Sequence, residues 1–170
     1  MQRMKLFDEA KRLDDEMKRC VKAHCKKQKK AADNERKAYA QKIMDLLTDL
    51  GNGKITPRGF YKKMEALEEL RLNSAITSDL IVCDIQHCNK QLQDHMIAAA
   101  NIHKIICDKR KKDCAIPRAI PKGAYNDCDK KNEPKQCDKL DEIYKIIARA
   151  KRNPTKQDYI DLFRLLEYVY

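Results

Sequence analysis

The residues best placed to do chemistry are two copies of one pattern, Cys-x3-His-Cys, at Cys20-His24-Cys25 and Cys83-His87-Cys88. On a helix, a Cys and a His four positions apart lie about 40° apart around the axis, so each pair offers two ligands to one ion. Two such helices side by side predict a Cys2His2 set of Cys20, His24, Cys83 and His87, the thiolate-plus-imidazole mixture that zinc accepts. Helix phase opposes this set, because Cys88 rather than Cys83 or His87 falls on the apolar seam of its helix.

The same cysteines have a covalent reading. Cys20 and Cys88 both sit on apolar seams, so a Cys20–Cys88 bridge would pin two antiparallel helices, and Cys25–Cys83 would follow in register. That leaves Cys107 with Cys114 and Cys128 with Cys137 to staple a later irregular segment. Eight reduced thiols, some buried as small hydrophobes, stand as the alternative, since stable disulfides are uncommon in reducing compartments. Twin cysteine pairs on a helical hairpin resemble the mitochondrial intermembrane-space hairpin proteins. Those carry Cys-x3-Cys or Cys-x9-Cys where this chain has Cys-x4-Cys, so nothing is carried over from them.

Other site patterns are weaker. Asp49-Leu50-Gly51-Asn52-Gly53 has an EF-hand flavour, but aligning Gly53 with the loop glycine leaves Asn52 as the one good ligand, and a glycine-rich helix stop explains the run. No P-loop, Gly-x-Gly-x-x-Gly, Gly-x-Ser-x-Gly or His-Glu-x-x-His pattern occurs. His95 and His103 read as satisfied core histidines. The expectation is a non-enzymatic protein without cofactor.

The elements that position these residues are helical. Gln2 to Leu50 contains neither Gly nor Pro and predicts one helix roughly 70 Å long. Its seam is Leu6, Ala10, Leu13, Met17, Cys20 and His24, then Tyr39, Ile43, Leu46 and Leu50. Thr56-Pro57 marks the cap and first turn of a second helix ending near Leu72. After a cap signal between Asn73 and Ser78, a third helix runs to Lys112 with the seam Ile81, Ile85, Cys88, Leu92, His95, Ala99, Ile102 and Ile106. The stretch from Asp113 to Gln136, with three prolines, reads as irregular. Two short helices follow, Asp138 to Arg152 and Pro154 to Tyr170. The fold class is all-α: long antiparallel helices forming a hairpin or bundle, an irregular Cys- and Pro-containing segment, and a C-terminal helical pair. Its expected divisions are 1–112, 113–136 and 137–170.

Composition narrows the partners. Charged residues make up 37% of the 170 positions, aromatics 6%, and the formal charge is +11, which draws anionic surfaces. Seven basic residues and no acidic one lie between positions 18 and 30: Lys18, Arg19, Lys22, Lys26, Lys27, Lys29 and Lys30. Lys109, Arg110, Lys111 and Lys112 form a second knot. These are the expected contacts to an anionic partner. Half of the ten aromatics lie from Tyr144 onward, and Tyr159, Leu162, Phe163, Leu166 and Tyr170 are expected to contact a protein partner. No stretch approaches the about 20 apolar residues of a membrane span, and Met1 to Ala10 lack an apolar leader core, so an intracellular setting is expected. Peripheral membrane contact through the basic surface stays open.

In its Lys- and Cys-rich composition the chain resembles the small accessory, or minor, capsid proteins of large DNA viruses. That resemblance implies a structural adaptor cementing a larger assembly, in a virion beneath or between major capsid proteins, with a virus-encoded route for thiol oxidation. Acidic protein surfaces are the expected partners. The rival reading is a basic nucleic-acid-binding accessory protein that grips phosphates through the two lysine-rich runs.

Overall fold

The computed structural model describes residues 2–117, 119–121 and 123–167, with the side chains of residues 2–4 left aside. Among them are seven α-helices and no strand: α1 Gln2–His24, α2 Lys26–Gly51, α3 Pro57–Leu72, α4 Ala75–His87, α5 Asn89–Cys114, α6 Lys135–Arg152 and α7 Lys156–Leu165. One turn of 3-10 helix, Lys130–Asn132, lies between α5 and α6. The chain is all-α. No helix among the described residues is long and apolar enough to cross a membrane.

The helix starts follow side-chain chemistry. The Thr56 hydroxyl accepts from the Gly59 N–H at 3.0 Å, with Pro57 at the first helical position of α3. Ser74 caps α4 by accepting from the Thr77 N–H at 3.0 Å, and its own hydroxyl donates to Glu35 Oε1 at 2.6 Å. Thr155 caps α7 through the Asp158 N–H. Gly53, with φ of 72°, takes the left-handed conformation that lets the chain leave α2.

Two compact units emerge, residues 17–89 and residues 1–16 with 90–170. The expected divisions at 112 and 136 fall inside the second. In the hairpin unit (17–89), α2 packs on α3 and α4. The links Cys20–Cys88, Cys25–Cys83 and Glu35–Ser74 set its antiparallel register, since one partner climbs as the other descends. In the composite unit (1–16 and 90–170), α6 and α7 pack as an antiparallel pair around Ile143, Ile146, Ile147, Tyr159, Leu162 and Phe163, all buried.

The long first helix expected over Gln2 to Leu50 is interrupted at Cys25, and the third at Cys88. Both residues leave helical geometry in the same way, with φ −123° and ψ 31° at Cys25 and φ −129° and ψ 24° at Cys88. Five residues along a regular helix turn 500°, so Cys20 and Cys25 would point 140° apart and could not face one partner. The local break re-aims the second cysteine of each pair. Hydrogen bonding persists through it, from Cys25 N–H to the Val21 carbonyl and from Cys88 N–H to the Asp84 carbonyl, each 2.7 Å.

Candidate functional site

The hairpin unit gathers both copies of the repeated cysteine–histidine pattern in one place. Cys20 is bonded to Cys88 and Cys25 to Cys83, each with a Cα–Cα distance of 6.0 Å, as the seam argument expected. Cys25 and Cys88 are fully buried. Sulfur of Cys20 lies 3.7 Å from the His87 carbonyl oxygen and that of Cys83 lies 3.8 Å from the His24 carbonyl oxygen. Bonded sulfurs carry no proton, so these are close contacts rather than hydrogen bonds. The exposed His24 and His87 rings stack with centroids 5.7 Å apart and planes 12° from parallel. The arrangement has an approximate two-fold character, each motif supplying the same three residues.

This geometry rules out the zinc reading of Cys20, His24, Cys83 and His87, which helix phase already opposed. Both cysteines of that set are consumed in disulfides and have no thiolate to give. No group of three or more potential ligands gathers among the described residues.

Asp84, which follows the bridged Cys83 in α4, is wholly buried, with neither carboxylate oxygen hydrogen-bonded. Burial pushes its acid up to about 7, against an opposing pull from the Lys29 charge. Little in the residue pattern points to this group, because one Asp on an otherwise apolar turn of helix reads as a surface residue. Its place one position from a bridged cysteine was the available signal.

Around this core the expected anion contacts divide. Lys18, Arg19, Lys22, Lys26, Lys27 and Lys30 are exposed, and the row Lys18, Lys22, Lys26 and Lys30 advances in steps of four. Lys29 is half-buried and pairs with Asp33 at 3.1 Å. In the composite unit Lys109, Lys111 and Lys112 are exposed. Arg110 is not an outward contact: its Nε and Nη2 donate to the Asp127 carbonyl at 3.0 and 2.7 Å, and Nη2 also to the Asp129 carbonyl at 3.1 Å. A guanidinium fork suits two loop carbonyls, which a lysine would not hold together.

Two further expectations are corrected in the composite unit. The local cysteine pairs are exchanged: Cys107 joins Cys137, and Cys114 joins Cys128. Cys107 and Cys114 both belong to α5, where seven residues span about 10 Å, beyond the roughly 7 Å limit for a bridge. The cysteines therefore tie α5 to α6 and to the loop. The expected protein contacts Tyr159, Leu162, Phe163 and Leu166 are instead core residues, with Tyr159 0% exposed. A short amphipathic helix finds its apolar complement on α6 rather than on a partner. Tyr170 lies outside the described residues.

Exposed large apolar side chains occur elsewhere. In the hairpin unit they include Met44, Leu47, Tyr61, Leu70 and Val82, with Tyr61 63% exposed. The 26-residue α2 buries no residue at all; its seam side chains Tyr39, Ile43, Leu46 and Leu50 are half-covered. Compared with known proteins, the chain matches no family, no curated protein and no solved structure.

Proposed function

We propose that the protein is a non-enzymatic structural adaptor that cements a larger assembly by binding acidic protein surfaces. The observation that supports this reading is α2, a helix of 26 residues without one buried side chain. Helices gain most of their stability from packing an apolar face, so a long helix whose apolar side chains are only half-covered invites an external surface. Met44 and Leu47 stand exposed on that helix, and the lysines at its start supply attraction to acidic partners. Four disulfides suit a frame that holds its shape in an oxidising setting or where a dedicated oxidant acts. The compositional resemblance makes a virion the assembly of choice, with the protein as a minor capsid component.

Gradient fractionation of the source material tests this reading. The protein should travel with a high-order particle, and Met44→Glu with Leu47→Glu should release it. Recovery of the wild-type chain solely as a free monomer would overturn the proposal.

A nucleic-acid-binding role is the second reading, favoured by the exposed row Lys18, Lys22, Lys26 and Lys30. It requires salt-sensitive binding of duplex DNA that is lost when Lys26, Lys27, Lys29 and Lys30 are neutralised.

A further inference from the structure

The composite unit holds an apolar groove between α1 and α5, lined by Leu6, Phe7, Ile102, Ile105, Ile106 and Lys109, with a volume of about 140 Å³. Phe7 and Ile106 are 55% and 45% exposed, so the groove has an open apolar lip. A cavity of about 150 Å³ lined by such residues accommodates one benzene-sized group. The occupant is therefore a single large side chain, Phe or Leu, rather than a long acyl chain. Lys109 is the one charged residue in the lining. Its acidic neighbour Asp108 is already engaged by Lys104 at 2.7 Å, and the exposed Lys111 and Lys112 extend the positive charge along the last turn of α5. A carboxylate beside the incoming apolar group is what this edge complements.

We propose that the α1–α5 groove receives a Phe or Leu from an amphipathic acidic helix of a partner protein, whose Asp or Glu one turn away pairs with Lys109. Helix geometry supplies that pairing, because residues three or four apart share a face. The proposal rests on the adaptor reading and names the chemistry of its partner and the place where it docks.

The probe is a 16-residue helical peptide with a Leu/Phe stripe flanked by Glu, used with the full-length oxidised protein. Two companions accompany it, one with Lys for every Glu and one with Ser for every Leu and Phe. Methyl NMR should show shifts at Leu6, Ile102, Ile105 and Ile106 with the Glu peptide and none with the Ser peptide. Ile106→Glu, an exposed position whose variant should melt like wild type, should weaken binding by about tenfold or more. Phe7→Ser provides the same test from the other helix. Lys109→Glu should reverse the preference toward the Lys peptide.

Unmoved groove methyls, or full affinity in both Ile106→Glu and Phe7→Ser, would overturn the proposal. So would methyl shifts that arise with decanoate but not with the peptide, or with rising protein concentration alone. Glu-peptide binding that maps to Lys18–Lys30 would remove the groove and leave the adaptor reading intact. Groove binding by a protein that never enters a particle would do the reverse.

Discussion

The two units carry two bridges each, yet they solve the same problem with different means. In the hairpin unit the bridges join residues 68 and 58 apart, whereas those of the composite unit join residues 30 and 14 apart. The hairpin unit has few large buried side chains, chiefly Met17, Val21, Phe60, Leu72, Leu80 and Ile81. The composite unit buries Leu92, Met96, Tyr159 and Phe163 together with the isoleucines of α6. Long covalent loops restrain the unfolded chain more, so cross-links replace core area where helices are left half-covered. The hairpin unit thereby holds a fixed shape although α2 buries no side chain.

Breaking the bridges should show the contrast most strongly. Replacing all four cysteines of the hairpin unit with Ser is expected to cost about 7 kcal/mol, against about 6 kcal/mol for the four of the composite unit, because the outer loops close over 68 and 30 residues. Urea denaturation of both quadruple variants measures the difference. Equal losses would show that loop length is not what distinguishes the units.

The composite unit should answer instead to core substitutions. Phe163→Ala is expected to cost about 3 to 4 kcal/mol, with thermal melting as the readout. A negligible effect would return this helix to the surface role that its sequence suggested.

Asp84 sharpens the comparison through pH. Its folded-state acid lies near 7, above the ordinary aspartate value, so the native hairpin unit binds a proton that the unfolded chain releases. The stability it contributes is complete below about pH 4 and is lost as pH rises through about 7, up to about 4 kcal/mol. Asp84→Asn should flatten that decline and raise stability at neutral pH. Denaturant midpoints from pH 4 to 8 would contradict this if the variant and wild type fell in parallel.

Arg110→Lys should have a smaller effect, about 1 to 2 kcal/mol, confined to the loop it clamps. Faster amide exchange from Asn126 to Asn132, with the rest of the composite unit unchanged, is the expected outcome.

Much of the frame was legible from residue types. Thr56-Pro57 announced α3, and the apolar seams through Cys20 and Cys88 gave the nested pairing of the hairpin bridges. The interruptions at Cys25 and Cys88 were hidden because seam reading assumes a regular helix, although a five-residue cysteine spacing is incompatible with one. The exchanged bridges were hidden by nearness in sequence, which is a poor guide when both cysteines sit two turns apart on α5. Tyr159 and Phe163 were misplaced because an apolar stripe does not say which surface covers it. Arg110 gave no local sign, since its carbonyl partners lie 17 and 19 residues away.

The most direct measurement is mass-spectrometric mapping of the alkylated, unreduced protein after proteolysis. The account predicts no alkylated thiol and four linked peptide pairs, Cys20–Cys88, Cys25–Cys83, Cys107–Cys137 and Cys114–Cys128. Eight alkylated cysteines, or peptides joining Cys107 to Cys114, would contradict the cross-linked frame on which the adaptor proposal stands.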